Sequence, residues 1–220
     1  MAEPGKRSYS SSLRDEQARA TRRQIVAAAG QLFVEQGFAG TTVDQIAAAA
    51  GVSRKTVFSA VGGKVQLLKL AYDYAMAQDD EPVPMEQRPG LADVIAEPDD
   101  YRAIELWSEF VADAASRISG LYLALRGAAE VDAEARELHE KWERERRDGM
   151  QLGPVARFVA NGTLREGVTP DEATSILWLL VTPSTYHSFV VDQGWSPERF
   201  AEWVRETVFR QVMKPRADVG

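Results

Sequence analysis

Residues 41–61 read TTVDQIAAAAGVSRKTVFSAV, and this stretch decides how the N-terminal part of the chain folds. Thr42 followed by Gln45 matches a capping box, in which the threonine hydroxyl accepts a backbone N–H and the glutamine side chain reaches back to the cap. A helix is therefore predicted over residues 43–50, where a run of alanines permits close packing against a neighbouring element.

The residues after that helix are typical of a tight turn. Gly51 breaks the helix, Val52 can point inward, and Ser53 is a favourable N-cap for a short helix over residues 54–61. The two glycines at 62–63 end this short helix. The stretch therefore predicts two short helices joined by a three-residue turn.

A longer amphipathic helix precedes this pair. It is predicted to begin within residues 16–21 and to end at Gly37. Its apolar positions recur at three- and four-residue spacing and are Ile25, Ala28, Ala29, Leu32 and Phe33. Three such helices, the last two joined by a tight turn, make a helix-turn-helix.

A helix-turn-helix can place its last helix in the major groove of DNA. The early side chains of that helix here are Ser53, Arg54, Lys55 and Thr56. Cations and hydroxyls of this kind can donate hydrogen bonds to guanine and to phosphate oxygens. A small three-helix head whose surface is polar only for solubility explains the same pattern, so both interpretations stand at this point.

The charge distribution separates the first part of the chain from the rest, although the whole chain has a net charge of -7. Residues 1–64 carry nine Lys/Arg and five Asp/Glu, net +4, whereas the remaining residues carry 17 and 28, net -11. Attraction to phosphate acts over about one Debye length, ~8 to 10 Å, so a basic head can bind DNA within an acidic protein. A chance fluctuation of charge is the alternative.

Three segments together resemble the N-terminal domain of the tetracycline-repressor (TetR) family. They are GFAGTTVDQIA at 37–47, AGVSRKTVF at 50–58 and GGK at 62–64, and the similarity extends over roughly residues 18–75. By this resemblance Thr42 and Lys64 would hold phosphates of double-stranded operator DNA at the N-termini of the second and fourth helices. The DNA-contacting side chains that it implies are Thr41, Thr42, Ser53, Arg54, Lys55, Thr56, Phe58, Ser59 and Lys64.

The sequence departs from the family pattern at the end of the third helix. Where the family often has a tyrosine, residues 58–61 read FSAV, so a tyrosine hydroxyl that could reach a phosphate is missing. Phe58 can pack against a sugar or a thymine methyl, or it can belong to the core. This departure leaves open the alternative of a helical interaction protein that has lost DNA binding.

The rest of the chain is predicted to be helical, so the expected fold class is all-α, with the helix-turn-helix domain followed by a larger helical domain. Helices are expected over 100–119, 121–130, 132–161, 170–192 and 197–213, with kinks or breaks at Pro154 and Pro183. The predicted organisation is a flexible basic arm at 1–15, the DNA-binding domain at 16–63, a connecting helix at 64–78, a Pro-rich acidic loop at 79–99 with at most one short helix around 91–96, and the helical domain at 100–214.

By resemblance, the larger domain is expected to form a homodimer and to bind a small effector. The last two long helices carry apolar stripes, and the interface residues expected there are Ile176, Leu177, Leu180, Phe200, Trp203, Val204 and Val208. Aromatic residues are numerous, and the expected ligand contacts are Trp107, Phe110, Tyr122, Trp142, Phe158, Trp178, Tyr186 and His187. Ordinary core packing explains each such stripe or aromatic side chain equally well. A mostly apolar effector follows from the apolar lining.

Several classes of function are disfavoured. The chain has no cysteine, which excludes thiol chemistry, and it has neither a Gly-rich phosphate loop nor a GxSxG or HExxH motif, so no enzyme is expected. Its two histidines, His139 and His187, are far apart in sequence, and no metal or cofactor is expected. No apolar run approaches the ~20 residues of a membrane span, and the N-terminus does not resemble a signal peptide, so a cytoplasmic protein without a membrane partner is predicted.

Overall fold

The chain is described here from a computed structural model, which covers the backbone of residues 5–216 and the side chains of residues 14–216. Within that range no strand forms, which confirms the all-α expectation. The helices are α1 (Gly5–Gly40), α2 (Val43–Ala49), α3 (Arg54–Ala60), α4 (Lys64–Ala77), α5 (Leu91–Ala96), α6 (Asp100–Ala129), α7 (Ala133–Met150), α8 (Ala156–Asn161), α9 (Pro170–Leu180), α10 (Pro183–Tyr186) and α11 (Pro197–Gln211).

Helix α1 begins earlier than the sequence predicts. Residues 5–15, predicted as part of a flexible arm, continue the helix, and residues 1–4 of that arm lie outside the described residues. The prediction is corrected for 5–15, because no proline or glycine between positions 6 and 29 interrupts the helix. At its other end, Gly37 leaves the helical conformation with φ +70° and ψ 174°, at the predicted stop.

Helix α6 runs through Gly120, where a break between two shorter helices was expected. The reason lies in the packing, since α1 crosses α6 at this glycine. A Cβ atom at position 120 would lie 3.0 Å from both methyl carbons of Val34. Gly120 therefore permits the close approach of two helices and does not end one, so the predicted boundary at 119–121 is wrong.

The two internal prolines interrupt their helices as predicted. Pro154 lies in a π-helical turn, Gln151–Val155, that separates α7 from α8. Pro183 begins the short helix α10 after α9 has ended, and a second π-helical turn, His187–Asp192, follows. Proline cannot donate a backbone hydrogen bond and its ring crowds the preceding turn, which accounts for both interruptions.

The Pro-rich loop at 79–99 contains the predicted short helix, α5, and also a 3₁₀ turn at Met85–Gln87. The buried side chain of Arg88 organises the loop. Its guanidinium donates to the Ala77 carbonyl at 2.9 Å, to the Val83 carbonyl at 3.1 Å, and to the Asp79 carboxylate at 2.7 Å. The loop is thereby attached to the end of α4.

Two clusters of buried apolar side chains form the core, and α6 contributes to both. The N-terminal cluster includes Ile25, Phe33, Ile46, Val57, Leu67, Leu68 and Leu125. The second cluster includes Trp107, Phe158, Leu177, Phe200, Val204 and Val208. Helix α6 therefore connects the helix-turn-helix head with the larger domain.

The predicted dimer stripe lies mostly inside this second cluster. Five of its residues are buried within one chain, namely Leu177, Leu180, Phe200, Val204 and Val208. Helix α11 packs on α6, so the chain itself covers the apolar face that the sequence assigned to a second copy. The interface assignment is corrected for these five residues, whereas Ile176 and Trp203 remain partly exposed.

Candidate functional site

The N-terminus of α2 has the predicted capping box. The Gln45 backbone N–H donates to the Thr42 hydroxyl at 3.2 Å, and the Gln45 side-chain oxygen accepts the Thr42 backbone N–H at 2.7 Å. Thr42 is exposed at this helix end. Its neighbour Thr41 is fully buried, and its hydroxyl lies 2.8 Å from the Gly37 carbonyl. The expectation that Thr41 contacts DNA is therefore wrong, because its hydroxyl secures the end of α1.

The turn between α2 and α3 follows the residues that predict it. Gly51 has φ +65°, which side chains disfavour, and the Val52 N–H donates to the Ala47 carbonyl at 2.9 Å. Ser53 caps α3 by accepting the Thr56 N–H at 3.0 Å. Val57 is completely buried in the N-terminal cluster. Its burial fixes which face of α3 packs inward and which faces solvent.

The outward face of α3 carries most of the predicted DNA contacts. The exposed side chains are Ser53, Arg54, Lys55, Phe58 and Ser59. Thr56 is partly buried, and its hydroxyl lies 2.8 Å from that of Ser53. Phe58 is 46% exposed, so it does not belong to the core that the sequence left open for it.

Arg54 has a partner that the sequence does not suggest. Its Nη1 lies 2.8 Å from the Asp44 carboxylate, and its guanidinium lies 5.6 Å from the centre of the Phe58 ring. Asp44 belongs to α2, ten positions away across the turn, so no helical periodicity indicates the pair. An exposed ion pair contributes ~0 to 1 kcal/mol, and a phosphate or a guanine can therefore compete with Asp44 for this arginine.

Lys64 heads α4, close to the end of α3. Its Nζ lies 4.0 Å from the centre of the Phe38 ring, and the residue is partly buried. Burial lowers the pKa of Lys64, and the charge of Asp132 opposes this effect. The helix N-terminus itself carries partial positive charge. Lys64 must extend away from Phe38 to reach a phosphate.

A cavity of about 580 Å³ lies in the larger domain, between α4, α5, α6 and the turn that joins α7 to α8. Three of the predicted ligand contacts line it: Trp107, Phe110 and Phe158. The sequence did not indicate Tyr72, Met76, Arg146 or Arg157, which also line it. These four come from three different helices, so only the tertiary fold brings them together.

The five other predicted ligand contacts lie outside the cavity, and each has a partner elsewhere. The Tyr122 hydroxyl donates to Glu143 at 2.9 Å, and burial together with Glu143 raises the pKa of Tyr122 to about 12. The remaining four contacts are those of Trp142 with Tyr72, Trp178 with Arg146, Tyr186 with Phe200, and His187 with Asp192. These aromatic side chains serve packing, so their assignment to the ligand site is corrected.

The N-terminal domain matches a known family. Residues 25–71 match the family described as bacterial regulatory proteins, tetR family. Two Pseudomonas putida proteins are each 36% identical over 75 residues, or 34% of this chain: the uncharacterized HTH-type transcriptional regulator TtgW and the HTH-type transcriptional regulator SrpR. The matched stretch covers 53% of TtgW and 33% of SrpR, so the likeness in sequence concerns only part of each relative.

Solved structures resemble almost the whole chain. NalD of Pseudomonas aeruginosa, the secondary repressor of the MexAB-OprM multidrug efflux pump, is 23% identical, with a TM-score of 0.69 over 91% of this chain and 100% of its own. The transcriptional regulator FadR of Bacillus subtilis, solved in complex with stearoyl-CoA, is 19% identical, with a TM-score of 0.65 over 84% of this chain and 96% of its own.

These similarities agree with one another. Each relative named here is described as a transcriptional regulator or a repressor. No enzyme is among them, which agrees with the expectation from the sequence. Within residues 5–216 no helix has the length and apolar character that a membrane span requires. By its N-terminal domain and its fold, the chain belongs to the tetR family of bacterial regulatory proteins.

Proposed function

We propose that the protein is a DNA-binding transcriptional repressor, and that a small, mostly apolar compound in the cavity releases it from a palindromic operator. The observation that carries the proposal is the outward face of α3, where Arg54, Lys55 and Ser53 are exposed beside the capped N-terminus of α2. One helix that presents cations and hydroxyls next to a second helix end is the arrangement that reads a major groove.

The packing of α3 supports this orientation. Val57 anchors the helix in the core, so the side chains on the opposite face can enter a groove without rearrangement of the domain. Thr42 can meet a phosphate at the N-terminus of α2, where the helix dipole favours an anion. Breaking the exposed pair of Arg54 with Asp44 costs ~1 kcal/mol at most, which contacts with DNA can offset.

Helix α4 offers a direct connection between the cavity and the DNA side. It begins with Lys64, and Tyr72 and Met76 on the same helix line the cavity. Eight residues of α-helix span about 12 Å, so a ligand against Tyr72 can displace the helix end that holds Lys64. A coupled effector typically changes operator affinity by ~1 to 3 kcal/mol. The structural likeness to NalD, a repressor, and to FadR, solved with an acyl-CoA, is consistent with a ligand-regulated repressor.

Arg54→Ala and Lys64→Ala are expected to weaken operator binding in different ways. Loss of Arg54 should cost ~1 to 3 kcal/mol per half-site and relax the preference at one base position. Loss of Lys64 should weaken all sequences alike and reduce the salt dependence by about one unit per contact. The measurement is affinity for a selected DNA site and its single-base variants across a salt series, with Lys141→Ala, on the distant α7, as the control. If Arg54→Ala keeps the sequence preference while Lys64→Ala alters it, the placement of α3 in the groove is wrong.

The homodimer is proposed to use the outward faces of α9 and α11, because a palindromic operator requires two heads. Leu179 is 63% exposed on α9, and Ile176 and Trp203 are partly exposed beside this face. Leu179→Arg should therefore give monomers with little loss of stability, since arginine near a helix C-terminus is favourable. Sedimentation velocity measures the mass, with Val159→Arg, at another exposed valine, as the control. A variant that sediments like the unmodified dimer would contradict this interface.

A further inference from the structure

The cavity contains two arginines, and a carboxylate neutralises each of them. Arg157 donates from Nε to Asp100 at 2.5 Å and from Nη2 to the Glu97 carbonyl at 2.5 Å. Arg146 donates from Nη2 to Glu143 at 2.7 Å and also hydrogen-bonds the Trp178 carbonyl. Each end of the cavity therefore has a cation whose charge is already balanced.

Both neutralising carboxylates are held in their charged form. Burial would raise the pKa of Glu143, but the hydrogen bond and the charge of Arg146 outweigh it, so its pKa lies below the ordinary value. Burial would likewise raise the pKa of Asp100, but hydrogen bonds from Thr163, Arg157 and Asn161 lower it below its ordinary value. A ligand that enters near neutral pH meets ion pairs and no unpaired cation among the described residues that line the cavity.

One polar group in the cavity is available to a ligand. Tyr72 lines the cavity, its ring packs 4.0 Å from that of Trp142, and its hydroxyl makes no hydrogen bond to any side chain or backbone group among residues 14–216. Burial raises the pKa of Tyr72, so it stays a neutral phenol. Arg146 uses three of its five N–H groups on Glu143 and Trp178, which leaves one on each Nη atom.

We propose that the ligand of this cavity is an uncharged, elongated apolar compound with one hydrogen-bond acceptor, such as a ketone or ester carbonyl, which Tyr72 and Arg146 bind. The remaining lining is apolar, from Trp107, Phe110 and Phe158 among others, and suits a hydrocarbon or aromatic body. The inference rests on the proposed function, because it takes the cavity to be the effector site.

Charged ligands fit the same surroundings poorly. A second carboxylate that approached Arg146 would lie close to Glu143, which is 2.7 Å from the same guanidinium. Like charges in an apolar cavity repel strongly, because little water screens them. A cationic ligand would meet both arginines, and each nearby carboxylate is already paired. A neutral acceptor needs only the free N–H and O–H groups.

The test compares two ten-carbon probes, 2-decanone and decanoate, near pH 7 with the full-length protein and no DNA. Binding is followed by tryptophan fluorescence, because Trp107 lines the cavity. We expect 2-decanone to bind at least about tenfold more tightly than decanoate, as for one lost charge-matched contact. Tyr72→Phe should weaken 2-decanone binding about two- to tenfold, whereas the control Tyr74→Phe, on the same helix outside the cavity, should not.

A third variant tests the charge argument directly. Glu143→Gln leaves Arg146 without its carboxylate and keeps an acceptor for Tyr122, so decanoate should gain affinity about tenfold or more relative to 2-decanone. Circular dichroism confirms that each variant is folded. The proposal is overturned if decanoate binds the unmodified protein as tightly as 2-decanone, if neither probe binds, or if Tyr72→Phe and Tyr74→Phe behave alike. If 2-decanone binds as expected and DNA affinity does not respond, the proposed function fails and the ligand class stands.

Discussion

Replacing Asp100 with alanine is expected to lower the free energy of unfolding by about 3 to 5 kcal/mol. The Asp100 side chain is 3% exposed and accepts hydrogen bonds from Arg157 at 2.5 Å, Asn161 at 2.8 Å and Thr163 at 2.5 Å. These bonds join the start of α6 to α8 and to the segment that follows it. Alanine leaves the Arg157 charge in an apolar cavity without a counter-ion, which is why the expected loss is large.

Urea unfolding of the variant measures this loss, with Glu109→Ala, an exposed carboxylate on the same helix, as the control. Because the pKa of Asp100 is lowered in the folded state, its contribution is present above the ordinary pKa of aspartate and is lost as the pH falls through the folded value. The difference between the unmodified protein and Asp100→Ala should therefore narrow below about pH 4. Equal stability of Asp100→Ala and Glu109→Ala at pH 7 would show that this network does not stabilise the fold.

Val204→Glu is expected to lower the free energy of unfolding by more than about 4 kcal/mol, so that the larger domain unfolds under mild conditions. Val204 is 0% exposed, and the second cluster surrounds it. A glutamate at this position must either bury an unpaired charge or bind a proton at neutral pH, and both cost free energy.

Val159→Glu provides the matched control, because the same substitution occurs at a valine that is 50% exposed on α8. That variant should lose little stability. Urea unfolding and sedimentation of both proteins separate the two roles of α11. A folded, monomeric Val204→Glu protein would contradict the burial of this residue and would restore α11 as a surface for a second copy.

Local signals in the sequence predicted the helix-turn-helix closely. The capping box at Thr42, the turn glycine Gly51 and the N-cap Ser53 each act within a few residues of their partners. The structure has all three, and α2 and α3 end within one residue of the predicted positions. Such signals are readable because the atoms that satisfy them are encoded in the same short segment.

Features that depend on a distant partner were predicted poorly. The four-residue spacing of Phe200, Val204 and Val208 indicates one buried face of α11, but it does not reveal that α6 of the same chain covers that face. Gly120 looks like a helix end in sequence, although Val34 from α1 explains its presence inside α6.

The same limit applies to the two candidate sites. The ion pair of Arg54 with Asp44 crosses the turn between two helices, and Thr41 is buried only because α1 ends beside it. The cavity takes Tyr72 from α4, and it excludes aromatic residues such as Tyr122 that the sequence alone could not distinguish from ligand contacts. Periodicity identifies a buried face, whereas a cavity is a gap that only the packed helices define.

Selection of double-stranded DNA from a random-sequence library by the purified protein tests most directly whether the outward face of α3 reads DNA. The account predicts that repeated selection enriches one sequence with two inverted half-sites, and that Arg54→Ala protein enriches a more degenerate form of it. Retention of no DNA above background, or enrichment of no common sequence by folded protein, would contradict the account. The chain would then be a helical interaction protein that has kept the helix-turn-helix without its DNA partner.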